Sequence, residues 1–305
     1  MAQVLAVPGI VRHGFSYIGR FNHDFGRITG IAASIKGNIL LCDYVKKNLI
    51  LVDHLGNVLR KLDVDSEPYD LAITSQNIGY ITQPNSRTVL QIDPDRMMIL
   101  FKATCNELST TVFCVSAIQN TGRNFSEKVS CLLGVKRHGL SYGVPVNHDQ
   151  ICLTDVPRNY MQIGSCVVRF HAVNEQSCLS CIGGQNYITL KEAWECPNNI
   201  CDIDTMDTPT DICSDDYGHI YVSEQGSNNI HRLTDAMEKM RKKYYCEQDW
   251  KVLDIPLDAH HDIKEPVALC FNQDFSKLYT VNEWAKFVLI FDVVCFVFQH
   301  IWNDA

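Results

Sequence analysis

Four cysteines have a spacing that could bind a metal ion. Two residues separate Cys178 from Cys181, and four residues separate Cys196 from Cys201. Four thiolates can hold zinc in a tetrahedral site, although the second pair is spaced more loosely than in common zinc motifs. The chain has 14 cysteines, many of them inside apolar runs. Reduced, buried thiols are therefore the favoured interpretation. We predict no cofactor and keep these four cysteines as the only metal candidates.

Acidic residues and histidines give two further chemical patterns. Asp202, Asp204 and Asp207 resemble a calcium loop, but the glycine and glutamate that an EF-hand requires are missing, so a solvated acidic linker is favoured. The segments 147–149 and 260–262 place His148 and His261 beside carboxylates, as an acid–base pair requires. Both segments are polar connectors, in which exposed histidines are common. The motifs of serine hydrolases, zinc proteases and phosphate-binding loops are missing, and we predict that the protein is not an enzyme.

Charge and terminal composition limit the partners. The net charge of −8 gives no long-range attraction to double-stranded DNA or to a membrane surface. The segment 237–245 is a local exception, because it concentrates basic and aromatic residues. The N-terminal residues have no charged leader and are interrupted by Pro8, so we expect no signal peptide and a cytoplasmic protein.

Short apolar segments recur with a period of about forty residues. A unit has an inner apolar strand, a turn, a second strand, a polar loop and a third strand that often ends in Asp. Four copies are clear, with inner strands that begin near Gly30, Asp70, Asp211 and Val267. About one hundred residues separate the second copy from the third, which is room for two more units. Residues 112–118 and 166–170 are predicted to be their inner strands.

Such a unit cannot bury both faces of its sheet alone, and neighbouring units must cover it. Radial stacking into a closed ring hides these faces and leaves only short edges. The sequence therefore predicts an all-β fold, a six-bladed β-propeller of four-stranded antiparallel blades, as one domain over residues 1–305. The apolar C-terminal segment is expected to pair with a strand near residues 10–18 and close the ring.

The loops between second and third strands must emerge at one end of such a ring. Aromatic and cationic side chains in these loops suit protein hot spots and single-stranded RNA. The predicted partner-binding residues are Tyr44, Lys46, Lys47, Arg87, Asn228, Trp284 and Lys286. The alternative is that each of these residues is an ordinary solvated loop tip. This alternative is weakest for Trp284, because exposing an indole without a partner is unfavourable.

The clear copies resemble NHL repeats. The matching residues are Gly30-Ile31-Ala32, Gly37-Asn38-Ile39, Asp43, Asn48-Leu49-Ile50, Gly218-His219-Ile220 and Asn229-Ile230. Over nearly its whole length the chain is similar to the C-terminal propeller of tripartite-motif proteins, in the divergent form found in molluscs. The third and fourth units depart from the pattern. In that family the propeller binds proteins or single-stranded RNA, while RING and B-box modules supply ubiquitin-ligase activity. The first cysteine is Cys42, so we expect neither module here.

Three hypotheses about function follow. The first is a non-catalytic protein-interaction scaffold of the tripartite-motif type, linked to ubiquitin pathways through its partners. The second is binding of single-stranded RNA through the same face. The third is a propeller hydrolase or lyase with a metal ion in the central channel.

Overall fold

The computed structural model describes residues 11–118, 129–147, 161–174, 177–192, 206–235 and 250–297. These residues form 23 β-strands and two short 3₁₀ helices, η1 (Pro84–Ser86) and η2 (Ala259–His261). No helix among them is long and apolar enough to cross a bilayer. The strands form six antiparallel sheets, which are the six blades of a propeller.

The first five blades each take consecutive strands of the chain. Blade 1 contains β2 (Ile28–Ala33), β3 (Ile39–Asp43), β4 (Asn48–Val52) and β5 (Val58–Asp63). Blade 2 contains β6 (Asp70–Ile73), β7 (Gly79–Gln83), β8 (Thr88–Asp93) and β9 (Met98–Thr104). Blade 3 contains β10 (Thr110–Ala117), β11 (Val129–Arg137), β12 (Leu140–Asn147) and β13 (Met161–Ser165).

The second half of the ring has the same plan. The described part of blade 4 contains β14 (Val167–Asn174), β15 (Ser177–Ile182) and β16 (Ile188–Glu192). Blade 5 contains β17 (Pro209–Ser214), β18 (Ile220–Glu224), β19 (Asn229–Asp235) and β20 (Trp250–Leu257). Blade 6 contains β21 (Ala268–Phe271), β22 (Lys277–Asn282), β23 (Phe287–Val297) and β1 (Val11–Phe21).

The inner strands of neighbouring blades contact one another all the way round, so the ring is closed. The N-terminal strand β1 completes the last blade. It pairs antiparallel with β23, with Val11 opposite Val297 and Phe21 opposite Val288. The predicted six blades and the pairing of the N-terminal strand with the C-terminal segment are confirmed. The inner strands of the two irregular blades, β10 and β14, lie at the predicted places.

Alternation along the middle strands explains why every residue of β3 and β4 is buried. Ile39 and Leu41 pack into the core between blades 1 and 6. Leu40 and Cys42 pack into the core between blades 1 and 2. Successive side chains of a strand point to opposite faces, so a strand with a blade on either side is buried on both faces. The outer strand β5 lies at the edge of its blade, and its residues are largely exposed.

Candidate functional site

The six inner strands run in the same direction around the central channel and define its two ends. Their first residues lie at one end, together with the loops between second and third strands of each blade. We call this end the loop face. The last residues of the inner strands, and the turns that lead into the second strands, lie at the opposite end. The seven residues predicted for partner binding all belong to the loop face.

A buried polar residue ends the second strand of four blades and holds the loop face in place. Asp43 accepts hydrogen bonds from the backbone N–H groups of Gly26 at 2.8 Å, Arg27 at 3.1 Å and Lys46 at 3.1 Å. It thereby ties the segment before β2 to the β3–β4 loop. The residues at this position, all without exposed surface, are Asp43, Gln83, Glu224 and Asn282.

Arg169 of β14 crosses the channel and separates its two ends. Its guanidinium lies 2.7 Å from the Asp70 carboxylate and donates to the carbonyl oxygens of Thr29 and Tyr69. It also lies 4.7 Å from the centre of the Tyr69 ring. Burial opposes the charge of Arg169, yet Asp70 and the other nearby negative groups raise the pKa of the guanidinium. Arg169 therefore stays charged and links blade 4 to blades 1 and 2.

Two carboxylates on opposite inner strands, Asp70 and Asp211, each accept a hydrogen bond from the next blade. Asp70 accepts the backbone N–H of Val115 at 3.0 Å, and Asp211 accepts that of Leu269 at 2.9 Å. Burial raises the pKa of both carboxyl groups, that of Asp211 to about 7, and Arg169 only partly opposes this shift. One guanidinium faces two carboxylates. A proton on Asp211 therefore relieves excess negative charge in the channel.

Beyond Arg169, at the end away from the loop face, the channel widens into a chamber of about 470 Å³. Residues from all six inner strands line it. His171 and Ser214, on the neighbouring inner strands β14 and β17, meet there, with His171 Nε2 3.0 Å from Ser214 Oγ. Burial lowers the pKa of His171 to about 4, so its imidazole is neutral at pH 7. Apolar side chains and several polar groups, among them Asp211, His171 and Ser214, line the chamber together, as in many small-molecule sites.

Three smaller cavities lie on the loop face. A cavity of about 240 Å³ is lined by Tyr69, Arg169 and Trp284, among others. A cavity of about 280 Å³ shares Arg27 and Tyr69 with it and extends to Tyr44. A third, of about 350 Å³, shares Trp284 with the first. Together they form a continuous depression around the channel mouth.

The structure brings only some of the predicted residues into this depression. Tyr44 lines the 280 Å³ cavity, and Asn228 and Trp284 line the 350 Å³ cavity. Lys46, Lys47, Arg87 and Lys286 line none of these three cavities.

Most of the predicted polar side chains are already engaged with their neighbours. Lys46 pairs with Asp24 at 2.8 Å, and Lys47 pairs with Glu67 at 2.9 Å. Arg87 donates to the carbonyl of Glu107 at 3.1 Å, and Asn228 accepts the N–H of Glu265 at 2.7 Å. These contacts hold the loops together and leave fewer groups free for a partner.

The cysteine candidates do not converge. Cys178 and Cys181 are both buried in β15, but Cys178 packs between blades 3 and 4 whereas Cys181 packs between blades 4 and 5. Burial raises the pKa of both thiols, that of Cys178 to about 12. One metal ion cannot bind both side chains, because they lie on opposite faces of the blade. Cys196 and Cys201 lie outside the described residues.

The other sequence candidates have ordinary structural roles or lie outside the described residues. His260 and His261 pair with Asp258, whose side chain caps η2. Asp207 is exposed at the loop face. Asp202, Asp204, His148, Asp149 and the basic segment 237–245 fall outside the described residues.

A histidine and two carboxylates approach one another near the chamber. His13 Nε2 lies 3.1 Å from Asp216 and 3.5 Å from Asp215. Asp215 already accepts from Tyr221 Oη at 3.0 Å and lies 2.9 Å from His219 Nδ1. Because hydrogen bonds already occupy the oxygens of Asp215, we interpret the cluster as a polar contact that joins β1 to blade 5 and not as a metal centre.

Sequence reasoning missed the residues that shape the channel mouth. Asp70 and Asp211 could have been identified from the repeat, because each occupies the same position at the beginning of an apolar inner strand. Arg27 and Tyr69 immediately precede inner strands, where they too can reach the loop face. Arg169 lies in the predicted inner strand 166–170, but its contact with Asp70 could not be predicted, because blade 4 has no recognisable repeat.

No family model and no curated protein sequence matches the chain. Solved structures match over almost its whole length. Hydrazine synthase from Kuenenia stuttgartiensis matches with a TM-score of 0.57 and 12% identity, over 89% of this chain and 84% of that one. The propeller domain of Cps50 (Swd1) from Myceliophteria thermophila matches with a TM-score of 0.58 and 10% identity, over 92% of this chain and 100% of that one.

An inactive variant of virginiamycin B lyase from Staphylococcus aureus, solved with quinupristin, is also similar. It matches with a TM-score of 0.59 and 12% identity, over 92% of this chain and 100% of that one. Such low identities carry no information about activity. The comparisons show the fold alone, and by fold the chain is a six-bladed β-propeller.

Proposed function

We propose that the protein is a non-catalytic binding platform whose loop face docks a protein partner, as in the propellers of tripartite-motif proteins. The observation that carries this proposal is the position of Trp284. Its side chain lines two adjoining cavities at the channel mouth while the residue remains 55% exposed. Tryptophan at the centre of a depression is typical of binding hot spots.

The backbone of the β22–β23 loop supports this role. Glu283, Trp284 and Ala285 have φ angles of 47°, 53° and 71°. Three successive non-glycine residues in the left-handed region are unfavourable, and such conformations often occur where a side chain must be presented to a ligand. Lys286 N–H donates to the carbonyl of Asn282 at 3.1 Å and closes the loop. The loop thus holds the indole in the depression.

Charge pairing favours a protein partner over single-stranded RNA. An RNA strand needs a track of cations free to meet its phosphates. Besides Lys46 and Lys47, two further loop-face cations are paired, Arg137 with Glu107 at 3.1 Å and Lys264 with Glu283 at 3.7 Å. A mixed-charge rim around an aromatic centre suits a protein surface better. A link to ubiquitin pathways would then come through the partner.

The test is affinity capture with the wild-type chain and the Trp284→Ala variant, with and without ribonuclease. We expect ribonuclease-resistant partners whose recovery falls about tenfold or more in the variant, because hot-spot residues contribute about 2 kcal/mol or more. The matched control is Ile35→Ala, which truncates a residue that is 54% exposed at the opposite end of the ring. Partners that persist with Trp284→Ala would contradict the proposal.

A hydrolase is the second candidate, favoured by the His171–Ser214 contact in the chamber. A neutral imidazole within hydrogen-bond distance of a serine hydroxyl can take its proton during acyl transfer. No carboxylate lies within ion-pair distance of His171 among the described residues, so the third member of a triad is missing. Fluorophosphonate labelling that disappears with Ser214→Ala would support this candidate. Equal labelling of both proteins, or none, would remove it.

A further inference from the structure

The 280 Å³ cavity on the loop face contains two cations that pair with no carboxylate of the described ranges. Arg27 and Lys136 both line it, and neither forms an ion pair within the described part of the chain. The Arg27 guanidinium lies 5.8 Å from the centre of the Tyr44 ring. The Lys136 ammonium lies 4.7 Å from the centre of the Phe113 ring. We call Arg27, Tyr44, Tyr69, Phe113 and Lys136 the cationic box.

These two cations differ from four other cations of the loop face. Lys46, Lys47, Arg137 and Lys264 each have an acidic neighbour within ion-pair distance. Glu67 touches the rim of the box through Asn85, but its carboxylate pairs with Lys47 at 2.9 Å. Within the described residues, no carboxylate therefore lies at ion-pair distance from the two cations of the box.

Backbone contacts position the box before any ligand arrives. The carboxylate of Asp43 accepts the N–H of Arg27 at 3.1 Å, and the carbonyl of Arg27 accepts the N–H of Tyr44 at 2.8 Å. The Asn85 amide donates to Tyr44 Oη at 3.0 Å. The rings of Tyr44 and Tyr69 meet edge to face, 6.5 Å apart. A preorganised site loses little entropy when it binds.

We propose that the cationic box binds an aspartate or glutamate side chain of the protein partner, together with the apolar residue beside it. Charge complementarity supports an acidic occupant, and the aromatic walls supply contact area for the apolar neighbour. A phosphate is a poorer match, because phosphopeptide sites use several arginines in bidentate contacts and the box has one. This inference names the chemistry of the partner and rests on the proposed function.

Peptide arrays test this assignment directly. Octapeptides with a fixed central Phe-Glu pair are compared with matched Phe-Gln and Phe-phosphoserine sets, using the purified full chain as the probe. We expect Phe-Glu peptides to bind about tenfold or more tightly than their Phe-Gln matches, as for a charge-assisted hydrogen bond. The double variant Arg27→Gln/Lys136→Gln should lose this preference. Arg137→Gln removes the neighbouring loop-face charge, which is paired with Glu107 and lies outside the box, and should keep it.

Each result supports or overturns the inference. Equal binding of Phe-Glu and Phe-Gln peptides, no peptide binding at all, or a preference that survives in the double variant would overturn it. Binding of the phosphoserine set alone would assign the box to phosphate. Binding of a uridine-rich RNA strand that the double variant abolishes would assign it to RNA. The single variants Arg27→Gln and Lys136→Gln replace the double variant if it does not fold. Capture that depends on Trp284 is measured separately, so the proposed function can survive failure of the inference.

Discussion

At the scale of single residues, the channel carboxylates link the stability of the ring to pH. Asp211 bonds to the N–H of the neighbouring blade, and burial raises its pKa to about 7. Between about pH 4 and pH 7 the folded chain therefore keeps a proton that the unfolded chain has lost. Asp211 contributes its stabilisation fully at low pH and loses it as the pH rises through 7.

The first prediction follows from this linkage. Asp211→Asn removes the titrating group, so the variant should lose less stability than the wild type between pH 5 and pH 8. Because Asp211 retains some surface open to the chamber, solvent screens part of the effect, and we expect a difference of about 1–2 kcal/mol. Urea unfolding of both proteins at the two pH values measures it. Parallel pH profiles would contradict the assignment of the proton to Asp211.

The residue contacts at the channel mouth could be predicted only in part. The repeat register placed Tyr44, Asn228 and Trp284 on the loop face. It could not show that Arg169 reaches Asp70, because these residues belong to blades that meet only across the axis. Nor could it identify Lys136, since blade 3 does not follow the repeat pattern. Register predicts the face on which a residue lies, whereas contacts across the axis depend on the closed ring.

At the scale of elements, the buried polar residue that ends the second strand of blades 1, 2, 5 and 6 fixes the conformation of the adjacent loops. Asp43 has no exposed surface and accepts three backbone N–H groups from two separate segments. These donors would otherwise have no partner, and buried unpaired N–H groups are unfavourable. Asp43 thereby couples the stability of blade 1 to the position of Arg27.

The second prediction compares two aspartates of the same blade. Asp43→Ala should lower the free energy of unfolding by about 2–4 kcal/mol and also weaken binding at the loop face. Asp53→Ala is the matched control. Asp53 accepts the N–H groups of Leu55 at 2.9 Å and Asn57 at 2.8 Å in an exposed turn at the opposite end. The control should lose about 1 kcal/mol and bind normally. Equal effects on binding would show that Asp43 has no special role in positioning the loop face.

The elements were predicted well where the repeat is regular. In blades 1, 2, 5 and 6 the apolar runs end at turn residues, so the strand positions follow from the sequence pattern. Blades 3 and 4 have no regular turn spacing, and only their number and inner strands could be inferred from length. The three described strands of blade 4 nevertheless pack between two hydrophobic cores, one shared with blade 3 and one shared with blade 5. Burial on both faces, and not the repeat motif, is the condition that all blades satisfy.

At the scale of the whole molecule, the ring depends on a strand that comes from the far end of the chain. Strand β1 covers the edge of β23 and contributes Phe21 to the core between blades 1 and 6. Phe15 packs against the core between blades 5 and 6. Without β1, an eleven-residue apolar strand would have an open edge, which favours aggregation.

The third prediction concerns this closure. Deletion of residues 1–21 should cost about 5 kcal/mol or more, because two phenylalanine side chains and a full ladder of hydrogen bonds are lost. A loss of that size is comparable with the total stability of many domains, so we expect an aggregated or largely unfolded product. Deletion of residues 1–10 keeps β1 and serves as the control. A synthetic peptide of residues 11–21, added during refolding, should restore a cooperative unfolding transition, because it re-forms the pairing with β23. If the protein without β1 unfolded at the same denaturant concentration as the control, the closed ring would not be the source of its stability.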